Sequence, residues 1–299
     1  MRIILLLLFI NLNLHAKDEL TIALIPYQMQ GGLKYHSFEQ KVKQKLLGAL
    51  KDKAHLVILP ELISFDMISN NFEGDTHKEV IKGTKYFDRY LKFLKSFSKN
   101  HSVNIMGGSF QRLVDNKIYN TAIFVSSKGS HVLQDKIFVT PWEKKYGFSN
   151  GELLHLFKIE GVLSVILNCH DVEFPLISHR LSAYRPKLFI VPSMTDDHFG
   201  YQRVSRTSMS RAIEHMSFVA QVGVTSSDQG NWHSYFGAAD LYAPQNNVLG
   251  VFEKKGETNK NTPLILNISP KTLKEYRKNH QGIYPIRDQL IRQEVLEIP

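Results

Sequence analysis

Three residues of this 299-residue chain have side chains that together could run acyl-transfer chemistry: Glu61, Lys136 and Cys169. A thiol is a nucleophile, a carboxylate can take its proton and return it to a leaving amine, and an ammonium can stabilise the oxyanion of a tetrahedral intermediate. Cys169 is the only cysteine, so it forms no internal disulfide and is either an inert buried small residue or a reactive thiol. Free cysteine is among the most buried residue types, which favours the inert reading when the residue is taken alone. Spacing does not separate the two, because any chain of this length contains such a trio by chance.

The elements that must carry the three residues are more informative. Val162 to Leu167 is an apolar run of strand length that stops at Asn168, Cys169, His170 and Asp171, which reads as a buried strand delivering the thiol to its carboxyl end. His55 to Pro60 is a second such strand, followed at once by Glu61, and a hairpin of 118–126 and 131–136, turning at Lys128-Gly129, ends on Lys136. In open α/β sheets ligands gather outside the carboxyl ends of strands. Around these lie a strand over 20–26, an amphipathic helix over 38–53, and one long helix over 77–101 with Val80, Ile81, Phe87, Tyr90, Leu91, Leu94 and Phe97 on its apolar face. A strand over 103–106 ends at a break, Gly107-Gly108. Helices over 176–184, 204–216 and 270–278 alternate with strands over 187–191 and 218–223 and two or three more between 235 and 268, and the tail from Asn279 is polar and extended. No linker rich in Pro, Gly or Ser interrupts the chain, so residues 17–299 read as one mixed α/β domain.

Composition excludes other classes. At 43% hydrophobic and 22% charged, the chain has an ordinary globular make-up. A net charge of +9 raises nucleic-acid binding. Many of the cations, however, fall in Lys41–Lys53, Lys78–Lys99 and Lys254–Lys278, interleaved with apolar or acidic positions as on solvated helix faces, and no RNA-recognition, zinc-finger or helix-turn-helix signature is present. The first sixteen residues resemble a secretory signal peptide: Arg2, the apolar run Ile3 to Ile10, then Leu14-His-Ala16 before Lys17-Asp-Glu19. That run is well short of the ~20 residues that span a bilayer, so cleavage near Ala16 and a secreted or periplasmic protein without stable membrane insertion are expected.

Four blocks in order resemble the carbon-nitrogen hydrolase (nitrilase) superfamily. They are Val57-Ile-Leu-Pro-Glu61, Gln134-Asp-Lys136-Ile-Phe-Val-Thr-Pro-Trp-Glu143, Asn168-Cys169-His-Asp-Val-Glu-Phe-Pro175 and Arg211-Ala-Ile-Glu-His215. The resemblance implies a four-layer α-β-β-α sandwich, commonly paired into a homodimer or higher homo-oligomer, with no metal and no organic cofactor. It implies that Glu61 deprotonates Cys169, that the thiolate attacks a carbonyl carbon, and that Lys136 and the backbone N–H of His170 hold the oxyanion. Glu143 is then a second carboxylate orienting Lys136 or the substrate, as against a surface glutamate beside Lys144 and Lys145. Trp142 is either a pocket wall or ordinary core.

Departures from the family pattern bear on substrate. Nitrile-hydrolysing members usually carry tryptophan and glutamate after the cysteine, whereas His170-Asp171 follows here, which favours amide cleavage. Leu176 stands where many relatives have glutamate. Pro192-Ser-Met-Thr-Asp196 and Gly200-Tyr-Gln-Arg-Val204 resemble a subgroup of predicted amidohydrolases and make Thr195, Asp196 and Tyr201 candidates for the pocket wall beside Trp142 and His170. Adjacent residues on an extended chain point in opposite directions and no second cluster has ligand spacing, so His170 and Asp171 are not read as metal ligands; Asp171 and Glu173 are expected in structural hydrogen bonds or ion pairs. The function expected is hydrolysis of a small linear amide through a cysteine thioester. An amide-directed acyltransferase and a non-catalytic binding protein on the same fold are the alternatives.

Overall fold

Strand-length apolar runs in this chain send alternate residues to two different cores, which is what makes a layered fold. A computed structural model describes residues 17–68, 76–226, 235–244 and 253–279; the proposed leader and the tail after Asn279 lie outside the described residues. In chain order the elements are β1 (Leu20–Leu24), β2 (Tyr27–Met29), α1 (Tyr35–Leu50), β3 (Leu56–Leu59), α2 (Thr76–Thr84), α3 (Phe87–His101), β4 (Asn104–Val114) and β5 (Lys117–Val125). There follow β6 (His131–Asp135), α4 (Pro141–Lys145), β7 (Leu156–Ile159), β8 (Val162–Ile166), α5 (Pro175–Ser182), β9 (Leu188–Ser193) and α6 (His198–Glu214). β10 (Phe218–Ser226), β11 (Ala239–Tyr242), β12 (Glu253–Lys255), β13 (Leu264–Ile268) and α7 (Pro270–Asn279) complete the set.

One sheet runs β13-β1-β3-β4-β5-β6 and the other β12-β11-β10-β9-β8-β7, with β2 also paired to β10. Leu20, Ile22 and Leu24 of β1 and Leu56 and Ile58 of β3 meet Ile166, Leu188, Ile190, Ala220 and Val222 of the second sheet in an inter-sheet core. The intervening residues Ala23, Val57 and Leu59 pack under α1 and α3 through Phe38, Val42, Leu46, Tyr90 and Leu94. On the far side Val165, Phe189, Val191 and Val219 pack under α5 and α6 through Ile177, Leu181, Val204 and Ala212. The result is the four-layer α-β-β-α sandwich. Strands covered on both faces read as continuous apolar runs rather than alternating ones, which is why β3, β8 and β9 were visible in sequence.

The structure departs from the sequence expectations in four places. The long helix over 77–101 is two helices, α2 and α3: the chain turns at Lys85-Tyr86 before restarting at Phe87, and within the last turn of α2 Gly83 leaves room for Gln111, whose Nε2 would lie 1.7 Å from a Cβ there. β2, β7 and the short helix α4 were not anticipated. α6 begins at His198, six residues earlier than expected, because Asp197 caps it by accepting from Gly200 N at 2.7 Å.

Gly107-Gly108 is the fourth difference and matters most to the site. It is a bulge rather than a break: β4 continues to Val114, with its register against β5 shifting between Met106 and Ser109. Gly108 has φ +74°, and a Cβ on it would lie 2.4 Å from the Pro60 carbonyl oxygen. The bulge lets Ser109 reach the turn after β3, where its N–H donates to Pro60 O (3.3 Å) and its Oγ accepts from Leu62 N (2.8 Å). Glu61 sits between those two tethers. Gly108→Ala is therefore expected to lower stability by roughly 2 kcal/mol or more, from the left-handed backbone and the clash together, read as a drop in urea midpoint.

Candidate active site

Each reactive side chain is delivered by the end of a strand and then locked by a local turn. Beyond β8 the chain enters a 3-10 turn, Cys169–Glu173, with Cys169 itself at φ +50°. Asp171 straps this turn to the chain after β6: its carboxylate accepts from Asn168 N (3.3 Å), Ile137 N (3.2 Å) and Phe138 N (2.8 Å). Burial pushes that carboxyl up to about 7 even against the three N–H donors. Lys136, one residue before the strapped segment, is thereby held beside the cysteine turn. Glu143 is set by helix α4, where it and Thr140 form a reciprocal capping box (Thr140 N to Glu143 Oε2, 2.8 Å; Glu143 N to Thr140 Oγ1, 3.2 Å).

These side chains converge. The Lys136 ammonium donates to Glu61 Oε1 at 2.8 Å and pairs with Glu143 Oε2 at 2.6 Å. Asn120, from β5, donates its Nδ2 to Glu61 Oε1 (2.8 Å) and Glu143 Oε1 (2.7 Å), and its Oδ1 accepts from Asn168 Nδ2 (2.9 Å). The other oxygen of Glu61 accepts from Met194 N at 2.8 Å, and the Cys169 thiol lies 3.9 Å from Met194 O, near enough to Glu61 for the carboxylate's charge to act on it. Glu61, Lys136 and Glu143 are each 2% exposed.

Two carboxylates sharing one buried ammonium are driven apart in acidity. Burial raises Glu61, Lys136 opposes it and Glu143 adds to it, and the net effect is a raised pKa. Burial would also raise Glu143, but the Lys136 charge and hydrogen bond, with those of Thr140 and Asn120, bring it below the usual range. Lys136 is pushed down by burial yet held well above its ordinary value by Glu143, Glu61 and Cys169. Burial and then Glu61 push the Cys169 thiol well up. Glu143 is thus the permanent counter-ion of Lys136, and Glu61 the carboxylate suited to take the thiol proton. The same burial and carboxylate charge favour the neutral thiol of Cys169 over its thiolate.

The trio opens onto a cavity of about 590 Å³. A groove of about 870 Å³ lies elsewhere, lined by Lys17, Lys187 and Lys274 among others, and holds neither the thiol nor the carboxylate–ammonium set, so the chemistry belongs to the smaller cavity. Trp142, His170, Thr195 and Asp196 all line it. Trp142 is a wall, braced by Phe65 and Tyr146 at ring-centroid distances of 5.9 and 4.7 Å. The Thr195 hydroxyl is turned to the Phe236 carbonyl. Tyr201, expected on the wall, is not among the residues lining the cavity: the inward face of α6 carries it under the helix, where its hydroxyl donates to Asp240 Oδ2 at 2.8 Å.

Glu143 is buried rather than on the surface. Glu173 accepts from Arg203 Nε (3.1 Å) and lies 3.1 Å from His170 Nδ1 at the rim, an ion pair of the kind expected. Arg211 donates to the Val172 carbonyl (3.1 Å) and pairs with Glu214, which also accepts from Ser178. The Arg-Ala-Ile-Glu block therefore ties α6 and α5 to the cysteine turn. Asn120, Asn168 and the Met194 peptide were missed by sequence reasoning. A signal existed for the first, since Asn120 interrupts the apolar face of β5 between Ile118 and Ala122.

The model of a family described as carbon-nitrogen hydrolase matches residues 27–278. The chain belongs to that family. Among its relatives, the probable hydrolase YhcX of Bacillus subtilis is 26% identical over 86% of this chain and 51% of its own length, so the chain spans about half of that protein. A carbon-nitrogen hydrolase from Helicobacter pylori shares the fold at TM-score 0.74 and 17% identity, covering 92% of this chain and 97% of that one. A cysteine mutant of the amidase from Nesterenkonia sp. AN1, in complex with butyramide, shares it at TM-score 0.66 and 18% identity over 89% and 97%.

Proposed function

We propose that this carbon-nitrogen hydrolase cleaves small linear amides through a thioester on Cys169, releasing ammonia or an amine. The observation that carries the reading is the convergence of Glu61, Lys136 and Cys169 on one cavity, with Glu143 holding Lys136 charged. Glu61 takes the Sγ proton as sulfur attacks the carbonyl carbon. The oxyanion faces the Lys136 ammonium and the N–H of His170, which lies in the first turn of the 3-10 segment and has no intrahelical acceptor. Glu61 passes its proton to the departing nitrogen as the C–N bond breaks. Water deprotonated by the same carboxylate then attacks the thioester, and the thiol leaves as the acid is released. Export from the cytoplasm and pairing into a homodimer belong to the same proposal; the leader sequence supports the first and the family resemblance the second.

Ammonia release from butyramide and related amides, measured with and without an added amine, tests the reading. A hydrolase gives free acid in both cases. A new amide appearing in proportion to the amine would replace hydrolysis by acyl transfer, and no release from any amide would end the proposal. Because Glu61 must be ionised to take the thiol proton and its pKa is raised, the acid limb of kcat/KM is expected to fall at a pH above the ordinary carboxylate value of ~4.3. A pH–rate profile flat down to that value would contradict the assignment of Glu61 as base.

A further inference from the structure

Asn120 is bonded to every part of the reaction apparatus without facing the substrate. It lies on β5, paired with Gln111 of β4, and is fully buried. It stands behind the cavity wall that Glu61, Lys136, Glu143 and Cys169 help to form. Its backbone carbonyl accepts from Lys136 N at 2.9 Å. Its side-chain Nδ2 donates to Glu61 Oε1 and to Glu143 Oε1, and its Oδ1 accepts from Nδ2 of Asn168, the residue before the nucleophile. An amide nitrogen carries two hydrogens, so one group serves both carboxylates, and turning the amide over would set Oδ1 against two carboxylate oxygens.

Acceptor capacity then distinguishes the two oxygens of Glu61. Each carboxylate oxygen has two lone pairs. Oε1 accepts from Lys136 Nζ and from Asn120 Nδ2, both at 2.8 Å, whereas Oε2 accepts from Met194 N. Room for a travelling proton is therefore on Oε2. That is also the thiol's side, since the carbonyl of the same Met194 meets Cys169 Sγ. The ionisable groups facing Glu61 are Lys136 after β6, Glu143 on α4 and Cys169 after β8; Lys136 favours its carboxylate and Glu143 disfavours it. Without Asn120, Glu61 Oε1 and Glu143 Oε1 lose the donor they share, and a proton between them would relieve their repulsion, as in other paired carboxylates.

Resting on the amidase reading above, we infer that Asn120 is a positioning residue of the reaction: by donating to Oε1 of both carboxylates it keeps the exchangeable proton of Glu61 on Oε2, beside the thiol, and keeps Glu61 and Glu143 from sharing a proton.

The test is the pH profile of butyramide turnover by the full chain, wild type against Asn120→Leu, an apolar side chain of nearly the same size. At neutral pH kcat is expected to fall about tenfold to a hundredfold, the worth of a hydrogen bond to a charged group. KM should stay within about twofold, because Asn120 is off the cavity wall. The acid limb of kcat/KM is expected to move up by about one pH unit, because the lost donor favoured the ionised form of Glu61. Asn120→Asp, which sets a third carboxylate in the same place, should move it further. Asn168→Ala keeps the Asn120 amide but frees its Oδ1, and should move the limb the same way by less; it carries the test if a circular-dichroism melt shows Asn120→Leu unfolded. A side chain with a merely structural role changes the rate without moving the limb. An acid limb that coincides with the wild type's in the folded variant therefore overturns the inference, whatever the rate, and leaves the amidase reading standing. No ammonia from the wild-type chain with butyramide or related amides removes the amidase reading itself, and this inference with it.

Discussion

Cys169→Ala is expected to abolish amide turnover, by at least about 10⁴-fold in kcat, while leaving the fold and its stability almost unchanged. In the proposed mechanism the Cys169 thiol forms the covalent bond to the acyl carbon, and the sequence holds no second cysteine to replace it. The thiol is also not a structural keystone. Its hydrogen bond is to the Met194 carbonyl at 3.9 Å, and the turn around it is held by Asp171, Asn168 and Arg211 rather than by sulfur. Alanine at φ +50° meets no strain that cysteine did not already meet. Turnover by the alanine variant, checked by ammonia release alongside a circular-dichroism melt, would end the thioester account.

Lys136→Met is expected to do two things that Cys169→Ala does not. It removes an oxyanion donor, which costs roughly 10² to 10³ in rate, and it leaves Glu61 and Glu143, each 2% exposed, without their cation. Stripping one partner from a buried ion pair typically destabilises by about 3–5 kcal/mol. The loss is pH-dependent, and its sign follows from the carboxylates. Without Lys136 both have folded-state pKa values above their unfolded ones, so the variant keeps most of its stability at low pH and loses it as pH rises through those raised values. Urea midpoints at about pH 5 and about pH 8 should therefore differ more between variant and wild type at the higher pH. Lys136→Arg retains a charge and should recover much of the stability but little of the rate, since the planar guanidinium cannot occupy the ammonium's point between two carboxylates and an oxyanion.

Glu61, Lys136 and Cys169 were legible in the sequence because each follows an apolar run that ends abruptly, and the layered architecture buries such runs on both faces. Glu143 was legible only in its block; its burial depends on the Thr140 capping box and on Asn120, which comes from another strand. Partners contributed across strands were the part that stayed hidden. Asn120 and the Met194 peptide act on Glu61 from 59 and 133 residues away, and no local pattern encodes such a meeting. Tyr201 shows the opposite failure. Its neighbourhood in sequence was right, but three residues of helix separate Asp196 and Asp197, at the cap, from a side chain on the inward face of α6. Gly107-Gly108 was read as a break because paired glycines usually are; here the close approach of Pro60 turns them into a bulge that continues the strand.

Passage of the acyl group through Cys169 is best tested by intact-mass measurement of protein rapidly quenched during turnover of a substrate amide. A mass increase equal to the acyl group, located on Cys169 and removed by hydroxylamine as a thioester must be, is the expected result. Steady turnover of the amide with no adduct on Cys169, and no acyl hydroxamate formed when hydroxylamine is present throughout, would contradict it.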